Sequence, residues 1–456
     1  MQETRHTAAA RLDRLPPTNF HRRLFGLVAG GLFTDNFDIY VAGAVLGQLL
    51  AIGFSDLAQN ATFVSATFAG MLIGTIGSGI IADRYGRRLT FQFNLAVFGV
   101  ATLACAAAPD IFYLTIFRFV AGVGLGAELT VGYSTLSEFT PPARRGRWQA
   151  LLSMMSSFGL LASTMMSWAL IPVFGWRVMF VIPGVCALGL LWLRKSLPES
   201  PRWLEAHNRF DEADRIVTAI ERKVIEEGGE LQAPATTQAA KSESLWQARL
   251  IRPLVLGTIL QVAMFAALYG LVNWIPSFLL KQGMPINQSL GLSALMSFGG
   301  PVGAFVAFAI IDRIGRRPAV IVGSVLAAAL SVLFGQATSQ VGAVICGFVL
   351  FSLVYFLLAT IQAVYLPELF PTAVRVRCNA ICIGIARLTT LVTPFLIVSV
   401  FNAFGISGVV TAIGALLVVQ AASMALLGRE TRGIPLEQIF EEPSREPQLK
   451  STTVVS

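Results

Sequence analysis

The sequence predicts an all-α membrane protein with twelve transmembrane helices in two six-helix bundles. Three observations carry that expectation. Of 456 residues, 55% are hydrophobic and 13% charged, against roughly 25% charged in an average soluble domain. Mean hydropathy is +0.68, and the apolar residues gather into runs of about 20, the length a bilayer-crossing helix needs. Charged motifs of the first half also recur in the second at a nearly constant offset.

Taken in order, residues 1–23 form a polar, basic tail without the apolar core and small-residue site of a cleavable signal. A first unit, 24–193, contains apolar runs at 24–50, 60–82, 89–108, 111–137, 148–171 and 178–193. A polar stretch, 194–252, follows. Its first part reads as short amphipathic surface helices, and Gly228 to Ser244 reads as a flexible linker. The second unit, 253–427, holds runs at 254–280, 288–311, 318–337, 341–366, 378–401 and 405–427, before a tail at 428–456. Turn and charge clusters such as Pro141-Pro142-Ala143-Arg144-Arg145-Gly146 separate the runs, because such groups are costly in hydrocarbon.

Basic residues set the orientation. Of 34 Lys and Arg, Arg118 and Arg387 lie within runs and Lys281 and Arg177 at the opposite ends; the other thirty share one side if both termini are inside. The expectation is a multi-pass protein of a bacterial inner membrane with cytoplasmic termini, a monomer in the lipid bilayer. The net charge of +8 does not imply nucleic acid, since the basic residues sit in short loops and not on one soluble face. Cys105, Cys186, Cys346, Cys378 and Cys382 fall in or beside apolar runs with no metal-type spacing, and read as small buried hydrophobes. No metal cluster, nucleophile triad or phosphate loop supports catalysis, so neither an enzyme nor a cofactor is expected.

The internal repeat is specific. Asp83, Arg84, Arg87 and Arg88 recur 229 positions later as Asp312, Arg313, Arg316 and Arg317. Glu138 and Arg145 recur at 230 as Glu368 and Arg375, and Glu199 at 231 as Glu430. Duplication of a six-helix unit accounts for this. Physically these residues can act as a latch: Asp accepts hydrogen bonds from arginines or a helix N-terminus, Gly permits the tight turn, and Glu138 and Arg145 complete a network with Arg87 or Arg88. The alternative is that the charges merely enforce orientation.

With these motifs the chain resembles the major facilitator superfamily over almost its whole length. The loop Asp83-Arg84-Tyr85-Gly86-Arg87-Arg88 matches that family's hallmark between its second and third helices. Pro198-Glu199-Ser200-Pro201-Arg202-Trp203-Leu204 and Glu430-Thr431-Arg432-Gly433 are similar to the sugar-porter branch and its organic-ion relatives. The resemblance implies secondary transport of a small molecule by alternating access, with the repeated charges as a cytoplasmic gate.

Charges inside the runs carry the rest, because each costs at least roughly 2.5–3.5 kcal/mol at a helix centre. Asp35 and Asp38 share a face of the first run, and two carboxylates there resist simultaneous ionisation. At about 1.5 Å per residue, Asp38 and Arg118 lie roughly 18 and 10 Å from the outer side, within reach of an ion pair. Asp35 and Glu128, about 20 and 16 Å from the inner side, form a possible second cluster. Asp35-Asn36-Phe37-Asp38 resembles the first-helix signature of aromatic-acid proton symporters, with Asn36 where Gly is usual. Asp38 with Arg118 is similar to the acid and arginine of proton-coupled sugar porters. The expectation is a proton site at Asp38 modulated by Arg118 and assisted by Asp35 or Glu128; a static ion pair is the competing reading.

Gly122, Gly124 and Gly126 after Arg118 allow close helix approach. Arg387 is a fixed cation in the second unit that can grip a carboxylate through two hydrogen bonds, and its region resembles the eleventh-helix arginine of organic-anion carriers. Gln261, Tyr269, Asn273, Tyr355, Gln362 and Tyr365 supply polar groups for a central cavity, and Phe37, Tyr40 and Trp274 supply rings to stack a substrate. The reading is a proton-coupled symporter of a small organic carboxylate, aromatic acids included. A sugar or polyol porter is the runner-up, weakened because Gln261 stands alone where sugar porters place paired glutamines.

Overall fold

The computed structural model describes residues 7–16, 18–140, 142–195, 197–227, 231, 248–337, 339–370 and 374–432. The expected linker at Gly228 to Ser244 and the tail beyond 432 therefore lie outside the described residues, apart from Leu231. Among the described residues every regular element is helical.

A short α1 (Ala8–Asp13) precedes α2 (Asn19–Ala51), α3 (Leu57–Tyr85), α4 (Arg87–Ala106), α5 (Ile111–Phe139), α6 (Pro142–Phe174) and α7 (Val178–Arg194). The surface helices expected next are α8 (Pro201–Ala206) and α9 (Phe210–Glu226). The second unit runs through α10 (Ala248–Val272), α11 (Ile275–Lys281), α12 (Ile286–Ser297), α13 (Gly299–Ile314), α14 (Arg316–Gly335) and α15 (Gln340–Leu358). A π-helical turn (Ala359–Tyr365), α16 (Leu366–Glu368) and α17 (Arg375–Leu427) complete it.

Eight described segments are individually long and apolar enough to cross a membrane. One of them, within α17, holds two crossings, because Gly405 breaks the helix with φ 67° and ψ −163°. α2, α6 and α7 supply the rest, so each of the twelve predicted runs has its helix. The eighth run is split into α12 and α13 at Phe298, and the seventh into α10 and α11 at Asn273–Trp274. The outer surface is apolar, with Phe308, Leu426, Phe404 and Trp192 all at least 70% exposed, as suits a lipid-facing wall.

Local chemistry fixes the ends. The Asp56 carboxylate accepts from Gln59 N at the start of α3, Asp110 accepts from Phe112 N and Tyr113 N at the start of α5, and Ser339 caps α15. Close crossings follow from glycine. A Cβ on Gly126 would lie 2.0 Å from the Met71 carbonyl and one on Gly74 1.9 Å from the Val123 carbonyl, so α3 and α5 touch backbone to backbone. The duplicate does the same: a Cβ on Gly303 would lie 1.9 Å from the Ser352 carbonyl, joining α13 to α15.

Packing follows the duplication. In the first unit α2 lies against α6 and α7, and α5 against α3 and α4; in the second α17 lies against α10 and α14, and α15 against α13. The units meet where α3 packs on α17, α6 on α12 and α13, and α2 on α11. One apolar cluster runs through both units, and a second joins Leu12 and Leu15 near α1 to Leu24, Leu136, Phe139 and the α9 face of Val217, Ile220 and Val224.

Candidate functional site

Asp38 and Arg118 meet as expected. Arg118 Nη1 donates to Asp38 Oδ2 at 2.6 Å, with both side chains 0% exposed. Arg118 Nη2 reaches the Asp38 carbonyl at 3.4 Å, and the guanidinium lies over the rings of Phe63 and Phe180 at 5.4 and 5.5 Å. Aromatic faces favour the cation, and the pair balances its own charge in a dry setting.

Asp35 is also 0% exposed, yet neither carboxyl oxygen has a hydrogen-bond partner among the described residues. It lies within electrostatic reach of Glu128, Arg194 and Asp38. Glu128 is not simply clustered with Asp35: it pairs with Arg194, whose Nη1 donates to Glu128 Oε1 at 2.5 Å. Arg194 Nη2 also donates to the Leu27 carbonyl at 2.8 Å, and the guanidinium covers Phe91 at 4.7 Å. Gly31 makes room, since a Cβ there would lie 2.0 Å from Arg194 Nη2 and 2.4 Å from Glu128 Oε1. Sequence reasoning missed Arg194 because it ends an apolar run, where a basic residue ordinarily snorkels to water. The one signal was the buried acid it neutralises.

In the second unit, Arg387 Nη1 donates to Thr75 Oγ1 at 2.9 Å, a bond from α17 to α3 across the two units. Thr75 Oγ1 itself lies 2.8 Å from the Met71 carbonyl and 3.0 Å from that of Gly126. Among the described residues no carboxylate pairs with Arg387. Tyr269 is its electrostatic neighbour and packs edge-on against Phe68 at 4.7 Å, again across the units. Tyr40, Tyr269 and Tyr355 lie within electrostatic reach of one another, so three phenols from α2, α10 and α15 converge, and Tyr269 is the one that neighbours the arginine. Gln261 and Asn273 are buried, with both polar atoms of Gln261 and Oδ1 of Asn273 unpartnered among the described residues.

Other candidates go elsewhere. Tyr365, at the end of the π-helical turn, reaches the basic-loop end, where its hydroxyl donates to the Arg429 carbonyl at 3.2 Å and does not join the other expected cavity residues. Trp274 is buried and stacks on Phe278, which stacks on Phe401 at 4.2 Å. Asn36 Nδ2 donates to the Leu32 carbonyl at 2.9 Å, Asn36 and Phe37 face Gly159 of α6, and Gln362 is exposed.

The expected gate resolves into two copies of one latch. In the first, Arg87 Nη1 pairs with Asp83 Oδ1 at 2.8 Å and Nε with Glu138 Oε1 at 3.2 Å. In the second, Arg316 pairs with Asp312 at 2.8 Å and with Glu368 at 3.0 Å. Glu199 accepts from Arg87 N at 2.8 Å and from Arg88 N at 3.2 Å; Glu430 accepts from Arg316 N at 2.9 Å and Arg317 N at 3.0 Å. The helix N-termini are thus held by these glutamates and not by the aspartates. Burial works against the Glu430 charge, but backbone N–H groups of Arg316, Arg432, Arg317 and Thr431 outweigh it and hold the carboxyl below its ordinary value. Arg88 and Arg317 bond the carbonyls of Lys195 and Ala425 at 2.9 and 2.6 Å. Arg84 and Arg313 are exposed, Arg84 lying over Tyr85 at 5.5 Å. The side chains of Arg145 and Arg375 lie outside the described set.

Each latch closes within its own unit. Contacts between units lie further from the basic loops: Thr164 Oγ1 and Ser297 Oγ are 2.6 Å apart, Ser65 donates to the Leu391 carbonyl at 2.7 Å, and Gly43 and Gly47 abut Asn273 and Pro276.

With this geometry in hand, a family model described as "Sugar (and other) transporter" matches residues 25–442. The chain belongs to that family, within the major facilitator superfamily. It is 32% identical to the putative metabolite transport protein YdjK of Escherichia coli, covering 96% of this chain and 98% of that one. It is 31% identical to the niacin transporter NiaP of Acinetobacter baylyi, over 94% and 99% of the chains. It is 30% identical to the 4-hydroxybenzoate transporter PcaK of Pseudomonas putida, over 72% and 75%. The fold matches a partially occluded inward open conformation of the xylose transporter XylE from E. coli with TM-score 0.73 and 18% identity, over 92% and 100% of the chains. This family member is a multi-pass membrane transporter and not an enzyme.

Proposed function

We propose that the chain couples proton movement to symport of a small organic carboxylate, aromatic acids foremost, across a bacterial inner membrane with both termini cytoplasmic, acting as a monomer. The observation that carries the reading is Arg387: a cation in the interior, bonded to a neutral hydroxyl and neighboured by the Tyr269 phenol. An entering carboxylate supplies the missing negative charge through two parallel hydrogen bonds, and Tyr40, Tyr269 and Tyr355 suit an attached ring. The names of NiaP and PcaK support this, since niacin and 4-hydroxybenzoate are both aromatic acids.

In this reading Asp35 carries the proton, where the sequence points first to Asp38. Asp38 with Arg118 and Glu128 with Arg194 are each internally neutral, so Asp35 is the buried acid with no cation of its own. Held as a neutral acid it avoids an uncompensated charge in a dry interior. The alternative cargo, a sugar or polyol, is favoured by the Gln261 amide and the Asn273 Oδ1, unpartnered among the described residues, which suit hydroxyl groups.

Proteoliposomes given 4-hydroxybenzoate, nicotinate or xylose decide the matter. Lumen acidification driven by the two acids is expected, with Arg387→Lys weakening acid binding by roughly tenfold or more through loss of bidentate geometry. Proton movement with xylose alone, or undiminished acid affinity in Arg387→Lys, would reverse the assignment.

A further inference from the structure

The pairing of Glu128 with Arg194 lies wholly within the first six-helix unit. Its members come from α5 and α7, and Arg194 is tied to the Leu27 carbonyl of α2. On the basic-loop side of this pair is a cleft lined by Leu24, Arg87, Arg88, Phe139, Arg194 and Ser200 among others, all from the first unit or its flank. On the other side, along the same face of α2, come Gly31 and then Asp35, at four-residue spacing. Glu128 Oε1 lies against Gly31, its Oε2 is buried and unpartnered among the described residues, and Asp35 feels its charge.

We propose that Glu128 and Arg194 form a proton exit inside the first six-helix unit, linking Asp35 to the cleft on the basic-loop face by a route separate from the cavity between the units. The inference rests on Asp35 as the carrier, argued above. The step conserves charge. Asp35 and Glu128 are not hydrogen-bonded to each other, so a bridging water carries the proton: it protonates the Glu128 carboxylate as it takes the Asp35 proton, leaving Asp35 an anion within reach of Arg194; the now neutral Glu128 gives its proton through water to the cleft and regains its ion pair. Arg194 keeps its own proton throughout and acts as a positioning residue: its charge balances whichever carboxylate is ionised. The other charges facing Asp35 are Asp38, already paired with Arg118, and none from α6 between 148 and 174, from α12 or from the near end of α11. The π-face of Phe91 beneath the guanidinium keeps Arg194 at the mouth of the cleft.

The test needs no substrate. Infrared difference spectra of the purified full chain follow deuterium exchange of the buried Asp35 acid, assigned by its disappearance in Asp35→Asn. Glu128→Gln is expected to slow that exchange roughly a hundredfold, the scale of a lost proton relay. Because Glu128→Gln strands Arg194, the double variant E128Q/R194Q, which keeps the site neutral, is measured alongside and decides if the single variant does not fold. Arg194→Lys retains the charge and is expected to keep most of the wild-type exchange rate. Wild-type exchange in the folded double variant would overturn the route. A parallel assay in proteoliposomes compares proton-driven accumulation of 4-hydroxybenzoate with its substrate-for-substrate exchange; a fall in that ratio supports the relay. If 4-hydroxybenzoate is not carried at all, the cargo assignment fails while the infrared result still judges the proton route.

Discussion

Gly86 shows how much one residue supports. Its φ of 96° and ψ of 163° belong to a backbone region kept by glycine, and a Cβ there would lie 2.2 Å from the Glu199 carboxylate. Gly86→Ala is expected to cost about 1–3 kcal/mol, read as a lower thermal midpoint in detergent. Gly315, with φ 94° and Glu430 beside it, predicts a matching loss in the second unit. The buried acids differ in the opposite sense. Asp38→Asn strands the Arg118 charge and is expected to cost about 3–5 kcal/mol, whereas Asp35→Asn removes no ion pair and should leave the midpoint near wild type while abolishing proton-driven accumulation. Equal destabilisation by the two would refute the distinction. Asp38 with Arg118 was legible in the sequence because two opposite charges at compatible depth in apolar runs have few other partners. Arg194 was not, because its position at the end of a run offers water as an equally good partner.

Among the elements, α1 has the most unexpected role. Arg11 and Arg14 donate to Glu221 of α9 at 2.6 Å each, Arg11 also pairs with Asp214, and Glu205 of α8 accepts from Ala8 N at 2.5 Å. Six residues long, α1 is too short to stand alone; it exists because Ala8, Leu12 and Leu15 join the apolar face of α9. Burial raises the cost of the Glu221 charge, but hydrogen bonds from Arg11 and Arg14 prevail and hold the carboxyl below its ordinary value. That contribution is complete above the unfolded glutamate range near about pH 4.3 and is lost as pH falls through the lowered value. Protection of the α1 amides, relative to their intrinsic exchange at each pH, should therefore fall on acidification, and Glu221→Gln should bring that loss of protection to neutral pH. Sequence periodicity exposed α9, but the partner of α9 lies some 200 residues away, beyond any local pattern. The splits at Phe298 and Asn273–Trp274 were equally hidden, because hydropathy measures length and not continuity of hydrogen bonding.

For the molecule as a whole, the duplicated latches and the offset contacts between units describe one posture. Both latches are internal to their units, while Thr164 with Ser297 and Ser65 with Leu391 join the units further from the basic loops. Thr164→Cys with Ser297→Cys, in a background lacking Cys186 and Cys346, should cross-link on oxidation and stop flux, with recovery on reduction; undiminished flux in the oxidised pair would show that this contact need not open. The apolar helices and the repeat were readable because a bilayer imposes length and polarity on every helix. How the units lean on one another was not, since glycine contacts and single hydroxyl bonds leave no hydropathic mark.

Thr75 finally pins one unit to the other: the guanidinium of Arg387 rests on its uncharged alcohol, a tether worth about 1.5–3 kcal/mol that thermal agitation severs without help. An acid at that position, as in Thr75→Asp, would weld the units in one posture, and accumulation and exchange should both stall.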